Sequence, residues 1–348
     1  MIFNGIDTYQ IDVTNQCPLN CDHCYGLKSK TSMEKETLNK VMQAIIDNIN
    51  ANNDDEPTIT ISGGEIGLYN PLWLIEAITT IKQNVIPKKP QIAIQTSLIF
   101  NINDVHKQLF QIVDEVSTSY DYKIRFKELN KEILFWKNLN IAKQLNKNIQ
   151  IIIALTKDLI KDISPEALFS FILSTGANHV ELERLCQPMT NLSTFTKIKP
   201  LNKDVNDYMF ECYKLYKEVQ KYYKLTIDTF DCMEKSVDGE HYYEHGRRCC
   251  QQSLTFSPNG NISTCFMEQH RPFANILLHK YNESMRDYVI KEEQKIDSRC
   301  NNCKYLKYCL GDCHRMSYDE TGCPTPIKIY EYIDNQKNNC YNTTKDEK

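Results

Sequence analysis

Cys17-Pro18-Leu19-Asn20-Cys21-Asp22-His23-Cys24-Tyr25 carries three thiols on one short loop, spaced C-x3-C-x2-C. The run before it, Tyr9 to Val13, alternates in polarity like a half-buried strand. Three thiolates on one tight loop can hold three irons of a [4Fe–4S] cube. The fourth iron then lacks a protein ligand and can bind something that reacts. A closed zinc site needs a fourth local Cys or His. His23 lies between two of the cysteines and cannot easily fold back onto the same ion.

Outward from this loop, helix and strand signals alternate. Met33 to Asn50 has Val41, Ile45, Ile46 and Ile49 at helical spacing. A strand at Thr58 to Ile61 follows, then a helix from Pro71 to Gln83 and strands at Gln91 to Gln95 and Glu115 to Tyr120. Arg125 to Asn146 reads as a long amphipathic helix, and Ile149 to Leu155 as a buried parallel strand. Pro165 to Ser174 is a helix and His179 to Leu185 a sixth strand. Such alternation predicts an α/β fold with a parallel sheet and right-handed crossovers. The 348 residues allow one large domain with an appendage, or two domains.

Two further patterns accompany the cysteine loop. Ser62-Gly63-Gly64-Glu65 directly follows the second strand. Paired glycines allow close backbone approach, and a carboxylate suits an ammonium group. Near the C-terminus, Cys250, Gly260 and Cys265 form C-x9-G-x4-C. Cys300, Cys303, Cys309 and Cys313 follow as C-x2-C-x5-C-x3-C, with Cys323 and Cys340 beyond. Between them, Thr255 to Ile262 reads as a hairpin around Pro258-Asn259-Gly260.

Together these motifs resemble the radical S-adenosylmethionine (SAM) enzymes that carry a SPASM extension. The resemblance covers about residues 9–186 and again about 249–325. It implies a partial (β/α)6, TIM-like barrel followed by a small cysteine-rich extension. It also implies three [4Fe–4S] clusters, one binding SAM and two auxiliary. Cys17, Cys21 and Cys24 would hold the first, and Gly63, Gly64 and Glu65 the SAM amino group. Barrel chemistry sits at the C-terminal strand ends. That adds Thr96 after the third strand, and Ser119 and Asp121 after the fourth as the family's Ser-x-Asp at the ribose. Tyr122 replaces the usual following glycine. Arg125 would meet the SAM carboxylate. His23 takes the position of an aromatic beside the adenine, where it would stack, hydrogen-bond or face solvent.

The first auxiliary cluster would take Cys250, Cys265 and Cys313, completed by Cys249 or left with an open iron. The second would take Cys300, Cys303 and Cys309 plus Cys323, in preference to Cys340 in the Asn-rich tail. Cys186, Cys212 and Cys232 are expected to be buried or spare thiols. The expected organisation is a barrel over 1–186, a bridging region over 187–248 and the auxiliary domain over 249–348. The bridging tyrosines Tyr208, Tyr213, Tyr216, Tyr222 and Tyr223 are a candidate substrate contact.

Fifteen cysteines would also suit a disulfide framework, but Met1 to Gln10 lacks a signal peptide's charged and apolar regions. The chain is therefore expected in the cytoplasm, where C-x2-C pairs read as metal sites. No apolar run approaches a membrane span, and a net charge of −4 argues against a general nucleic-acid binder. The resemblance implies a maturase that oxidises or crosslinks a precursor peptide or protein, fed electrons by a flavodoxin or ferredoxin. Only sixteen residues precede Cys17, too few for a winged-helix peptide-recognition domain, so a leader sequence would bind elsewhere or through a partner protein. Alternatives are formylglycine formation as in anaerobic sulfatase maturases, radical chemistry on a small metabolite, or a non-catalytic iron–sulfur carrier or redox sensor.

Overall fold

The computed structural model describes residues 2–26, 28–52, 56–85, 89–146, 148–187, 192–239 and 249–343, with the side chains of 249, 250 and 338–343 outside that description. Its spine is six parallel strands, β1 (Thr8–Asp12), β2 (Thr58–Ser62), β3 (Gln91–Gln95), β4 (Glu115–Ser119), β5 (Ile149–Ala154) and β6 (His179–Glu183). They lie side by side in chain order. Ile11, Ile61, Ile94, Ile151 and Val180 are fully buried along them. Each such side chain stabilises the fold by about 2 kcal/mol.

Helices cross over between successive strands, and their ends have local causes. Asn70 caps the helix Pro71–Asn84 by accepting from Leu72 N–H, with Pro71 in the first turn. Ser164 caps Pro165–Thr175 in the same way, and Gly176 ends it in the left-handed region at φ 71°. The expected helix from Arg125 starts only at Leu129. The preceding residues form a turn in which Ile124 and Arg125 N–H donate to Asp121 C=O. That turn brings Arg125 back onto Asp121.

The extension does not build a separate sheet. β7 (Thr226–Ile227) lengthens the spine beyond β6. At the opposite edge, β8 (Ser253–Phe256) pairs parallel to β1, with Thr8 opposite Ser253. β9 (Asn261–Ser263), β10 (Ala274–Asn275) and β11 (Lys280–Tyr281) continue antiparallel, giving one sheet of eleven strands. The expected Pro-Asn-Gly hairpin is the β8–β9 turn, with Gly260 at φ 78°.

A buried ion pair fastens the rest of the extension to the spine. Arg184, just past β6, donates to both oxygens of Asp312 at 2.6 and 2.9 Å and to Pro324 C=O at 3.1 Å. The C-terminal helix Ile327–Thr343 packs on helices Asn202–Val219 and Asp228–Val237. It runs to Thr343, so the backbone of Cys340 is helical. Among the described residues no helix is long and apolar enough to cross a membrane.

Candidate SAM site and cysteine clusters

The loop carrying Cys17, Cys21 and Cys24 leaves the C-terminal end of β1, and the Gly63-Gly64 segment lies against its entry. Gly64 N–H donates to Thr14 C=O at 2.6 Å, and Glu65 N–H to Gln16 C=O at 2.8 Å. A β-carbon on Gly63 would stand 2.3 Å from Thr14 O, and one on Gly64 2.3 Å from Gln16 O. Gly63 also adopts φ +143°. The sequence reading has the glycines admit a ligand; the structure uses them to let two backbones touch beneath the cysteine loop.

Glu65 is fully buried. Its Oε1 accepts from Gly67 N–H at 2.8 Å and from the Thr96 hydroxyl at 2.7 Å. Its Oε2 accepts from Ser97 N–H at 2.7 Å and from the Ser97 hydroxyl. Four donors fill a carboxylate's acceptor sites. Glu65 and Thr96, both expected to touch SAM, are thus joined to each other and latch the ends of β2 and β3.

His23, Asp121 and Arg125 meet at the ends of β4 and β5. Asp121 is buried, and its Oδ2 lies 3.3 Å from His23 Nε2 and 2.7 Å from Arg125 Nε. Its Oδ1 accepts from Ala154 N–H at 3.2 Å. Burial alone would push this carboxyl up, but Arg125 and His23 outweigh it and hold Asp121 below the usual carboxylate range. His23 is buried rather than solvent-facing. Ser119 is buried at the end of β4.

Sequence reasoning missed Glu183 and Tyr25. Burial pushes the Glu183 carboxyl up to about 7, with His23 and Arg125 opposing and Asp121 adding. Its position at the end of β6 falls under the strand-end rule that nominated the others. The Tyr25 hydroxyl accepts from Cys186 N–H at 3.0 Å, and its ring lies 5.9 Å from that of Phe266. The tyrosines of the bridging helix, by contrast, are packing. Tyr208, Tyr213 and Tyr216 are buried, and their hydroxyls bond Ile163 C=O, Glu234 and Asp231, while Tyr222 and Tyr223 stand in solvent.

In the extension, Cys300, Cys303, Cys309 and Cys323 line one cavity of about 290 Å³. This is the expected second auxiliary set. Among the described residues no three His, Cys, Asp or Glu side chains meet at a point that would hold a single metal ion. The four cysteines share the lining of that cavity with residues such as Lys295, His314 and Tyr318, and a cube with one thiolate per iron would need its ligands around a space rather than at one point. Several cysteine sulfurs accept from the backbone N–H two residues on: Cys265 from Met267, Cys309 from Gly311 and Cys323 from Thr325. Such bonds favour thiolates. Burial nevertheless pushes the thiols of Cys309 and Cys21 up to about 11. Metal binding would therefore release protons from them. The Tyr318 hydroxyl lies 3.3 Å from Cys300 Sγ.

The expected first auxiliary set is described only in part, because the side chains of Cys249 and Cys250 lie outside the described residues. Its other two members are tied together. Glu268, three residues past Cys265, accepts from Arg315 Nε at 3.1 Å and lies 3.3 Å from His314 Nε2, the two residues that follow Cys313. Cys212 and Cys232 are buried, as expected of structural thiols. Cys186 is not spare: its thiol touches that of Cys313.

Residues 9–142 match a family described as a 4Fe-4S single cluster domain. No curated protein matches the chain in sequence. Among solved structures, the anaerobic sulfatase-maturing enzyme anSMEcpe with bound AdoMet superposes with a TM-score of 0.73 at 15% identity, covering 96% of this chain and 99% of that one. The same enzyme with AdoMet and the Cp18Cys peptide gives 0.73 at 16% identity, with the same coverage. SuiB of Streptococcus suis bound to its precursor peptide SuiA gives 0.63 at 14% identity, covering 89% of this chain and 72% of that one. From the cysteine loop after β1 to the C-terminal cysteine cavity, the chain has the fold of the radical SAM enzymes that bear a SPASM extension.

Proposed function

We propose that this protein is a peptide maturase of the radical SAM/SPASM type. The observation that supports this most is the match along nearly the whole chain to two enzymes solved with peptides bound. Cys17, Cys21 and Cys24 hold the SAM-binding cluster. Cys300, Cys303, Cys309 and Cys323 hold one auxiliary cluster, and Cys265 and Cys313 belong to the other. When bound, the SAM-binding cluster and SAM supply one-electron cleavage of SAM and hydrogen abstraction from the substrate. Around them the protein orients and excludes water. Arg125 brings a buried positive charge beside Cys21 for the SAM carboxylate. Asp121 fixes that guanidinium and the His23 ring. Glu183 can hold or release a proton at its carboxyl near neutral pH. A flavodoxin or ferredoxin delivers the electron.

The test is anaerobic reconstitution of the full chain with SAM and dithionite. The peptide encoded by the short reading frame nearest its gene should accelerate 5′-deoxyadenosine formation and lose about 2 Da, the two hydrogens removed by oxidation or crosslinking. Stimulation by a small metabolite instead would leave the fold assignment standing and remove the peptide. The longer and better superposition on anSMEcpe favours formylglycine formation as a second reading. It predicts a product aldehyde that a hydrazide reagent captures.

A further inference from the structure

The sequence leaves the fourth ligand of the first auxiliary cluster to Cys249 or to an open iron, and the structure brings a further thiol, that of Cys186, to Cys313. Cys186 follows β6 by three residues, far in sequence from the extension. Its Sγ nevertheless touches the Cys313 thiol and lies 3.3 Å from Met316 Sδ. Met316 N–H donates to Cys313 C=O at 2.9 Å, so both sulfurs belong to one turn, and Cys186 lies over it.

Three attachments fix this meeting. Arg184 holds Asp312, the residue before Cys313, at 2.6 and 2.9 Å. The Tyr25 hydroxyl accepts from Cys186 N–H at 3.0 Å, and the Tyr25 ring packs on Phe266, the neighbour of Cys265. Glu268 binds Arg315 and thereby joins the Cys265 turn to the Cys313 turn. These bonds hold the Cys186 segment against the Cys313 turn and link the Cys265 turn to the same turn.

We infer that Cys186 is a ligand of the first auxiliary cluster, alongside Cys265 and Cys313. The inference rests on the three-cluster reading above. Ligation exchanges the Cys186 S–H proton, released to solvent, for an Fe–S bond, and no electron moves. Residue 188 is proline, so Cys186 lacks the backbone N–H two residues on that Cys265, Cys309 and Cys323 each have.

The test uses the full chain carrying Cys17→Ala, Cys21→Ala and Cys24→Ala, which leaves only the auxiliary clusters. That parent should bind about eight irons and keep them under mild ferricyanide oxidation, as two fully ligated cubes should. Adding Cys186→Ala should make about one iron per chain labile to ferricyanide, with the paramagnetic signal of a three-iron cluster. Cys186→Ser should retain that iron with a shifted signal, which separates ligation from misfolding. If Cys186→Ala keeps every iron while Cys249→Ala loses one, Cys249 is the ligand and this inference is wrong. If the parent itself loses one iron, the site is open and the inference is equally wrong. A parent with about four irons, unaffected by Cys313→Ala, would remove the first auxiliary cluster and the inference with it.

Discussion

The two described cysteine sites are built on opposite principles. The Cys17 loop is seated on the sheet. Met33 N–H donates to Val13 C=O, Asn15 N–H to Thr31 C=O, and Gly64 and Glu65 N–H to Thr14 and Gln16 C=O. Its position is set by strands that are buried whether or not iron is present. Within its own segment the cavity of Cys300, Cys303, Cys309 and Cys323 is built from turns, fastened to the spine by Arg184 and to the helix from Asn202 by side-chain bonds. Cys303 N–H donates to Cys300 C=O, Leu306 to Cys303, and Asp312 to Cys309, each bond spanning three residues. No sheet strand lies between Ser298 and Thr325. A loop on a strand end is expected to keep its place without a cofactor, whereas a chain of turns is expected to lose order without one.

The largest test of this contrast is removal of iron. Chelation should cost the segment 298–325 about 10 kcal/mol, the scale of a structural metal site, so its amides should exchange freely. The amides of β1 to β6 should keep their protection in the same hydrogen-exchange measurement. Equal protection of both regions in iron-free protein would break the comparison.

Next in size is Glu65→Ala. It strands buried donors from Gly67, Thr96 and Ser97 and should cost about 3 kcal/mol in denaturant unfolding even without iron. A variant of unchanged stability that merely binds SAM less well would make Glu65 a ligand contact rather than a latch.

The smallest effect lies at the far end of the spine. Burial alone would lower the pKa of His179, but Asp228 and Glu115, each 2.5 Å from its ring, raise it to about 10. The folded value exceeds the unfolded one, so the stabilisation is complete below about pH 6.5 and is lost as pH rises toward 10. His179→Gln should remove about 2 kcal/mol at neutral pH, discounting for partial solvent access. It should also flatten the melting temperature over that window, equally with and without iron. A pH dependence present only in iron-loaded protein would mean that the spine is not independent of the clusters.

The six spine strands are legible almost to the residue, because alternation such as Tyr9-Gln10-Ile11 reports a face directly, whereas the two-residue strands β7, β10 and β11 are too short to show one. The helices Asp104–Ile112 and Glu283–Glu293 were missed, being short and rich in polar residues. Each begins at an asparagine cap, Asn103 or Asn282, which was the available signal. In the site, cysteine spacing nominated the Cys17 loop and the set Cys300, Cys303, Cys309 and Cys323 because members of a set lie close in sequence, and the structure places the latter four on one cavity. Glu183, Arg184 and Cys186 carry no such spacing. Their partners Asp121, Asp312 and Cys313 are distant in the chain, so only folding displays the pairs.

The parallel pairing of β8 with β1 sets an order of events at the ribosome. β1 emerges before every other strand of the sheet, and β2 can cover one of its edges early. Its other edge stays bare until Ser253 to Phe256 have been made. During that interval the nascent chain presents an unpaired edge beside the cysteine loop, a surface on which another chain can add a strand. Expression that outpaces elongation of the second half should therefore favour aggregates nucleated at β1, and slower synthesis at lower temperature should favour the soluble chain.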